Sequence, residues 1–339
     1  MAARRNRRVV LARLVDGEPR IEDFRIEAVD QAEPAEGHIL VRNRYISVDP
    51  GTRSRLSGRS SYAAPVALGE TIGSATVGQV VVSRHPKFAV GDWIAAGFGW
   101  QEYGLSDGRG IRKISSAPLP PSTAIGVLGI PGLTAYFGLL DIGRPQVGET
   151  VLVTSAAGPV GSTAGQIAGI KGARVVGVAG GSEKCQWLVD ALGFTAAIDR
   201  RAEPDLAAAI ARACPDGVDV LFDNVGNASI DAVLPLMRPH GRIVVSGQVA
   251  DYNLPPESRP GLKNTNFFIS SRLVMAGLVV FDYVKDFPKA WADMTAWIVD
   301  GKLRYREDIV DGLENLPRAF IGLFRGENFG RKLIRLATD

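Results

Sequence analysis

The residues best placed to do chemistry are six small ones, Ala156-Ala157-Gly158-Pro159-Val160-Gly161, set between the apolar run "VLVTSA" and a small-residue stretch of helical character. A lone GxGxxG is a weak signal, and its strand-turn-helix context is what gives it force. Ala156 stands where the first glycine of that pattern would be. Gly158 lets the backbone approach a pyrophosphate closely, and Gly161 lets the helix pack on the strand. The helix start adds N–H groups and a positive dipole. The expected ligand is a dinucleotide, with Gly158, Pro159, Val160 and Gly161 as its pyrophosphate cradle.

The next apolar strand, "ARVVGVA", chooses between dinucleotides. An NAD site usually ends this strand on Asp or Glu, about 20 residues after the turn, to hold the ribose hydroxyls. Here the strand runs into Gly180-Gly181-Ser182-Glu183-Lys184, a small loop with a hydroxyl and an ammonium. Gly181, Ser182 and Lys184 suit a 2′-phosphate, so NADPH is expected rather than NADH.

Other chemistries find less support. A catalytic zinc takes three protein ligands and a structural zinc four. Cys185, Cys214, His38, His85 and His240 are scattered; His38 and His85 fall in turns, and His240 reads as the polar end of a helix before Gly241. No GxSxG elbow or Cys/His pair at a strand end is present, so no metal site and no covalent catalysis are expected.

These residues need a scaffold, and the chain of 339 residues is long for one domain. From 9 to about 116 it shows short β-rich runs between turns, including "HILVRNRYISVDP" and "TIGSATVGQVVVSRHPKFAVGDWIAA". From about 123, helical segments alternate with apolar strands of four to seven residues, the pattern of βαβ units around a parallel sheet buried on both faces. The tail returns to β signals in "RYREDIV" and "RKLIRL". The expected class is α/β, with a β domain at 1–122, a dinucleotide-binding domain at 123–300, and 301–339 rejoining the first.

With 39 basic and 36 acidic residues the net charge is +3, part of it in "ARRNRR" at the start. Nucleic acid is not an expected partner, because no cluster of Lys and Arg with aromatics follows. The run "VVLARLV" is broken by Arg13 and is far shorter than the roughly 18 to 20 residues of a membrane span. Two cysteines suit a reducing compartment, and a cytoplasmic location is expected.

Seven ordered stretches then carry a family resemblance over nearly the whole chain: "YISVDP", "WQEY", "LGIPGLTAYFGLLDIG", "SAAGPVG", "GGSEK", "FDNVG" and "ENFGRK". The chain resembles the zinc-independent medium-chain dehydrogenase/reductases, in the branch of the prostaglandin (leukotriene B4 12-hydroxydehydrogenase), 2-alkenal and curcumin reductases. The resemblance implies a GroES-like β domain plus a Rossmann doubly wound parallel sheet domain, with the active site in the cleft between them and a homodimer joined through the Rossmann domain. The implied reaction is metal-free, NADPH-dependent reduction of the C=C bond of an α,β-unsaturated ketone or aldehyde, with hydride to the β-carbon and a proton to the α-carbon. A quinone oxidoreductase, from a sister branch, and a non-catalytic NADPH-binding protein are the alternatives.

The same resemblance assigns Lys184 to the 2′-phosphate and Asn224 and Asn328 to the nicotinamide half. It assigns Tyr252 to the substrate carbonyl, as hydrogen-bond or proton donor, and Tyr45 to the substrate wall. Two positions depart from it. Gly51 stands where relatives carry an aromatic, and Arg200, followed by Arg201, stands after "ID" where relatives often carry another aromatic. Arg200 is expected to strengthen the hold on the phosphate. Loops 54–65 and 253–266 are expected to shape the substrate pocket.

Overall fold

A computed structural model describes residues 4–59 and 63–337; residues 60–62 of the loop 54–65 lie outside the described residues. The chain divides into two units, one made of Met1–Gly126 with Glu307–Asp339 and the other of Val127–Arg306.

In the second unit six strands form one parallel sheet, in the spatial order Ala196–Asp199, Arg174–Ala179, Thr150–Val153, Val218–Asp223, Met237–Val245, Val274–Gly277. Numbered along the chain, this order is 3-2-1-4-5-6, and it reverses between the first and fourth strands. Successive residues face opposite sides. Val151, Val153, Val220 and Phe222 join Ile167 and Phe137 in one buried cluster, while Leu152, Val176 and Leu221 join Ile210, Ile230 and Ile243 in another. Both faces are therefore covered, which is why these strands read as nearly continuous apolar runs. The stretch "PGLTAYFGLLDIG" forms the helix Ile130–Phe137 and a wider helical turn, Gly138–Gly143.

His240 does not end a helix. It lies inside the strand Met237–Val245 with φ +65, and its N–H donates to the Ser271 carbonyl at 2.7 Å. The preceding "LPL" makes only a single 3-10 turn, Leu234–Leu236, before the strand begins.

The first unit is built on a second sheet, in the order Glu307–Asp311, Arg331–Arg335, Ile39–Ser47, Thr76–Ser83, Trp93–Ala96, Arg112–Ile114, with Tyr103–Ser106 also paired to Ile39–Ser47. The tail strand Arg331–Arg335 runs antiparallel to Ile39–Ser47, with Leu333 opposite Ser47 and Arg335 opposite Tyr45. The tail also supplies the helix Leu316–Phe324, whose Phe320 packs at ring distances of 6.0 Å from Phe24 and 5.7 Å from Trp100. Ala124 and Ile125 pack with Val77 and Leu333, so the first unit extends to Gly126, four residues past the boundary expected from composition.

Candidate active site

Because all six strands of the second unit run in one direction, their C-terminal ends share one edge of the sheet, and loops at that edge near the order reversal are where such sheets bind ligands. The first strand ends in the turn 154–158. Its left-handed residue is Ser155, at φ +48, whose carbonyl accepts the Gly158 N–H at 2.9 Å. Ala156 is fully buried, and its methyl faces Gly177 of the neighbouring strand. A Cβ on Gly177 would lie 2.9 Å from that methyl, so the absent side chain on the second strand makes room for the alanine of the turn.

Gly161 is required by close approach: its Cβ would lie 2.6 Å from the Ser155 carbonyl oxygen and 2.8 Å from the Ala156 Cα. The helix Pro159–Ile170 starts directly after Gly158. Pro159 has no N–H, and those of Val160 and Gly161 have no carbonyl one turn back within the helix, which leaves them for an anion. The strand, turn and helix expected around Gly158 to Gly161 are thus all present.

The second strand ends at Ala179, and the loop Gly180-Gly181 leads into the helix Ser182–Asp190. Gly181 adopts φ +102, a conformation open to glycine alone. Its N–H donates to Asp199 Oδ1 at 2.7 Å, and the Arg201 N–H donates to the same oxygen at 3.0 Å. The Gly181 hydrogen bond, with help from Arg201, holds the Asp199 carboxyl below the usual carboxylate range. Ser182 is exposed, Lys184 is half-buried in the first helical turn, and Arg200 follows the third strand directly. Gly181 and the first helical turn with Ser182 and Lys184 thus follow the second strand, and Arg200 follows its neighbour, the third. Parallel register makes this so, because Asp199 pairs with Ala179.

At the order reversal the fourth strand ends on Asp223, which is 0 % exposed. Its carboxylate accepts the Thr154 hydroxyl at 2.7 Å, the Gly226 N–H at 2.8 Å and the Val225 N–H at 3.2 Å. Burial pushes this carboxyl up to about 6 against those bonds. Asn224 is tied to the same threonine: its N–H donates to Thr154 Oγ1 at 2.9 Å and its side-chain amide to the Thr154 carbonyl at 2.8 Å. The ends of the first and fourth strands are therefore clamped together. Beyond the fifth strand, the Tyr252 hydroxyl oxygen accepts a long bond from the Gln248 N–H at 3.4 Å, and it would stand 3.6 Å from a Cβ on Gly247.

Tyr45 and Asn328 belong to the first unit. Tyr45 is half-buried on the strand Ile39–Ser47 and packs with Val77, Ala124, Ile125 and Leu333. The Asn328 side-chain amide donates to the Gly330 carbonyl at 3.1 Å, in the turn before the last strand. Two of the sequence motifs meet nearby: Arg331 of "ENFGRK", 4 % exposed, pairs with Asp49 of "YISVDP" at 2.6 Å and donates to the Ile125 carbonyl at 2.9 Å.

Sequence reading missed Thr154, Asp199 and Asp223. Two of them had a visible sign, an aspartate closing a largely apolar strand.

Residues 7–114 match the family described as the N-terminal domain of oxidoreductase, and 159–297 the one described as zinc-binding dehydrogenase. Despite the second description, no group of three or more His, Cys, Asp or Glu among the described residues is placed to hold a metal ion. The chain is 46% identical to the NADPH-dependent curcumin reductase of Escherichia coli, over 99% of this chain and 98% of that one. It is 38% identical to the NADP(+)-dependent 2-alkenal reductase of Nicotiana tabacum, over 98% of each. The chain belongs to the medium-chain dehydrogenase/reductases, in their alkenal and enone double-bond reductase branch. Among solved structures, CurA from Vibrio vulnificus in complex with NADPH matches with a TM-score of 0.93 at 44% identity, over 98% of this chain and 100% of that one. The shared fold pairs a sheet-rich N-terminal domain with a parallel-sheet Rossmann domain.

Proposed function

We propose that this member of the family reduces the C=C bond of α,β-unsaturated ketones or aldehydes with NADPH. The observation that carries the reading is the corner formed by Gly181, Ser182, Lys184 and Arg200. It offers hydroxyl and cationic groups where an NAD site would present a carboxylate, one sheet strand away from the pyrophosphate turn. The cradle Gly158-Pro159-Val160-Gly161 fits the pyrophosphate. The 46% identity to a curcumin reductase supports the substrate class.

The chemistry NADPH supplies when bound is hydride donation to the β-carbon. Negative charge then builds on the substrate's carbonyl oxygen, and a positioned donor stabilises it. Tyr252 is assigned that role: a phenol donates to an oxyanion as it forms. Asn224, held by Thr154, is assigned to the nicotinamide half. In the first unit we assign Asn328 to the nicotinamide and Tyr45 to the substrate wall, each to be tested by its own variant.

The deciding experiment follows the NADPH absorbance band with 2-alkenals, aryl enones and quinones, repeated with NADH. Turnover of enones with NADPH alone is expected. Turnover of quinones alone would move the protein to a quinone oxidoreductase, and tight NADPH binding without turnover to a binding protein. Tyr252→Phe should slow kcat by about 10²-fold with NADPH affinity unchanged, the usual scale of acid or hydrogen-bond help. An unchanged kcat would leave the tyrosine as a wall of the pocket.

We also propose a homodimer. The sheet of the second unit ends on the strand Val274–Gly277, with Val274 59 % and Met275 41 % exposed, and a bare apolar edge is a surface that proteins cover. A two-fold axis beside the strand would pair it with its own copy. Light scattering should give twice the chain mass, falling to one chain for Met275→Lys; a monomeric wild type sinks the idea. Among the described residues no helix is long and apolar enough to cross a membrane.

A further inference from the structure

The corner after the second and third strands contains more than the preceding assignment uses. The position a Cβ would take on Gly180 lies 3.1 Å from Arg201 Nε and 3.6 Å from Arg200 Nε. Two guanidinium groups thus lean over one glycine. Strand alternation would send neighbouring residues to opposite sides, but the strand has ended at Asp199 and the chain turns there. The Asp199 carbonyl accepts the N–H groups of Ala202 at 3.0 Å and Glu203 at 3.2 Å, and its side chain accepts that of Arg201. This turn brings Arg201 back over Gly180.

We propose that Arg201 is a second specificity residue for the 2′-phosphate, acting beside Arg200, and that Asp199 is a positioning residue holding Arg201 and the Gly181 N–H in place. The proposal rests on the NADPH reading above. Each guanidinium is a planar fork of N–H donors, and two such forks over one glycine suit a phosphate dianion, which accepts charge-assisted hydrogen bonds from both. A carboxylate near this corner would ordinarily favour a ribose diol over a phosphate. Here Asp199 Oδ1 is engaged by two backbone N–H groups, so its charge is directed at the loop.

The test is a pair of binding titrations, NADPH and NADH, followed by nucleotide fluorescence on the intact protein, with a thermal melt of each variant. Arg201→Gln should weaken NADPH about tenfold and change NADH by less than about twofold, the scale of one charge-assisted contact. Asp199→Ala should lower the NADPH preference in the same way. Asp199→Asn, which keeps an accepting oxygen and loses the charge, should restore or exceed it.

A wild type that prefers NADPH together with an equally selective Arg201→Gln overturns this inference alone. Equal losses for both dinucleotides in Arg201→Gln overturn it too. Loss of NADH binding in Asp199→Asn would make Asp199 a ribose ligand and overturn its positioning role. A wild type that binds both dinucleotides equally overturns the cofactor reading itself and this inference with it.

Discussion

Two neighbouring corners of one sheet end their strands on aspartate and treat it in opposite ways. Asp223, at the order reversal, is fully buried, and burial pushes its carboxyl up to about 6 although Thr154, Gly226, Val225 and Ser229 all donate to it. Asp199, two strands beyond the first, is half-exposed, and the Gly181 N–H holds its carboxyl down. The inner corner is made by close approach at Ala156 and Gly161 and by buried hydrogen bonds between Thr154 and Asp223. The outer corner is made by charge on exposed loops. On the proposed reading, the packed corner cradles a dinucleotide and the charged corner selects which one.

That division can be broken most severely at Gly161. In Gly161→Val, the added Cβ would press on the Ser155 carbonyl and the Ala156 Cα, both backbone atoms that cannot step aside. Overpacking of this kind should cost about 3 kcal/mol of stability. NADPH and NADH binding should fall together, because the cradle serves both. A urea midpoint with parallel titrations checks this; a variant that kept its stability, or lost NADPH alone, would contradict the contrast between the corners.

A second test uses pH. The raised carboxyl of Asp223 means the folded protein holds its proton between about 4 and 6 while the unfolded chain releases it. Its contribution therefore favours the fold at low pH and declines as pH rises to about 6, by roughly 3 kcal/mol in all. Asp199 has the opposite sign, its contribution being present above the unfolded value and lost as pH falls. The stability difference between wild type and Asp223→Asn should accordingly shift against the wild type from pH 4 to 6 and then level off. A difference constant over that window would mean that Asp223 is ionised throughout.

What was legible in the sequence follows the same line. The strand, turn and helix around Gly158 could be read because glycine and small residues at fixed spacing have few other uses between a strand and a helix. The strands of the parallel sheet could be read because burial on both faces writes itself as apolar runs. Asp199 is not legible because the dinucleotide pattern puts its acid at the end of the second strand, whereas parallel register delivers one from the third, opposite Ala179. The tail helix Leu316–Phe324 escaped because Pro317 and Gly322 interrupt "LPRAFIGLF", although Leu316 and Phe320 stand one turn apart and are buried together. His240 was misplaced because its left-handed backbone inside a strand depends on a carbonyl from Ser271, thirty-one positions on, which no local pattern announces.

The smallest effect should come from Lys184→Met, and it is the most selective. Methionine is as good a helix former as lysine and keeps most of the stem that the half-buried side chain packs. Stability should therefore hold while NADPH affinity falls about tenfold and NADH affinity stays, one contact's worth. Because the lost term is electrostatic, added salt should weaken NADPH binding by the wild type more than by the variant. Combining Lys184→Met with Arg201→Gln then asks whether the corner is one site. Two cations that meet the same phosphate are coupled through it, so the loss in the double variant should differ from the sum of the single losses by 0.5 kcal/mol or more, at the lower end of about 0.5 to 3 kcal/mol for groups sharing a partner. Strict additivity would mean that the lysine on the helix and the arginine on the turn serve different parts of the ligand, and the outer corner would then be two contacts instead of one selective pocket.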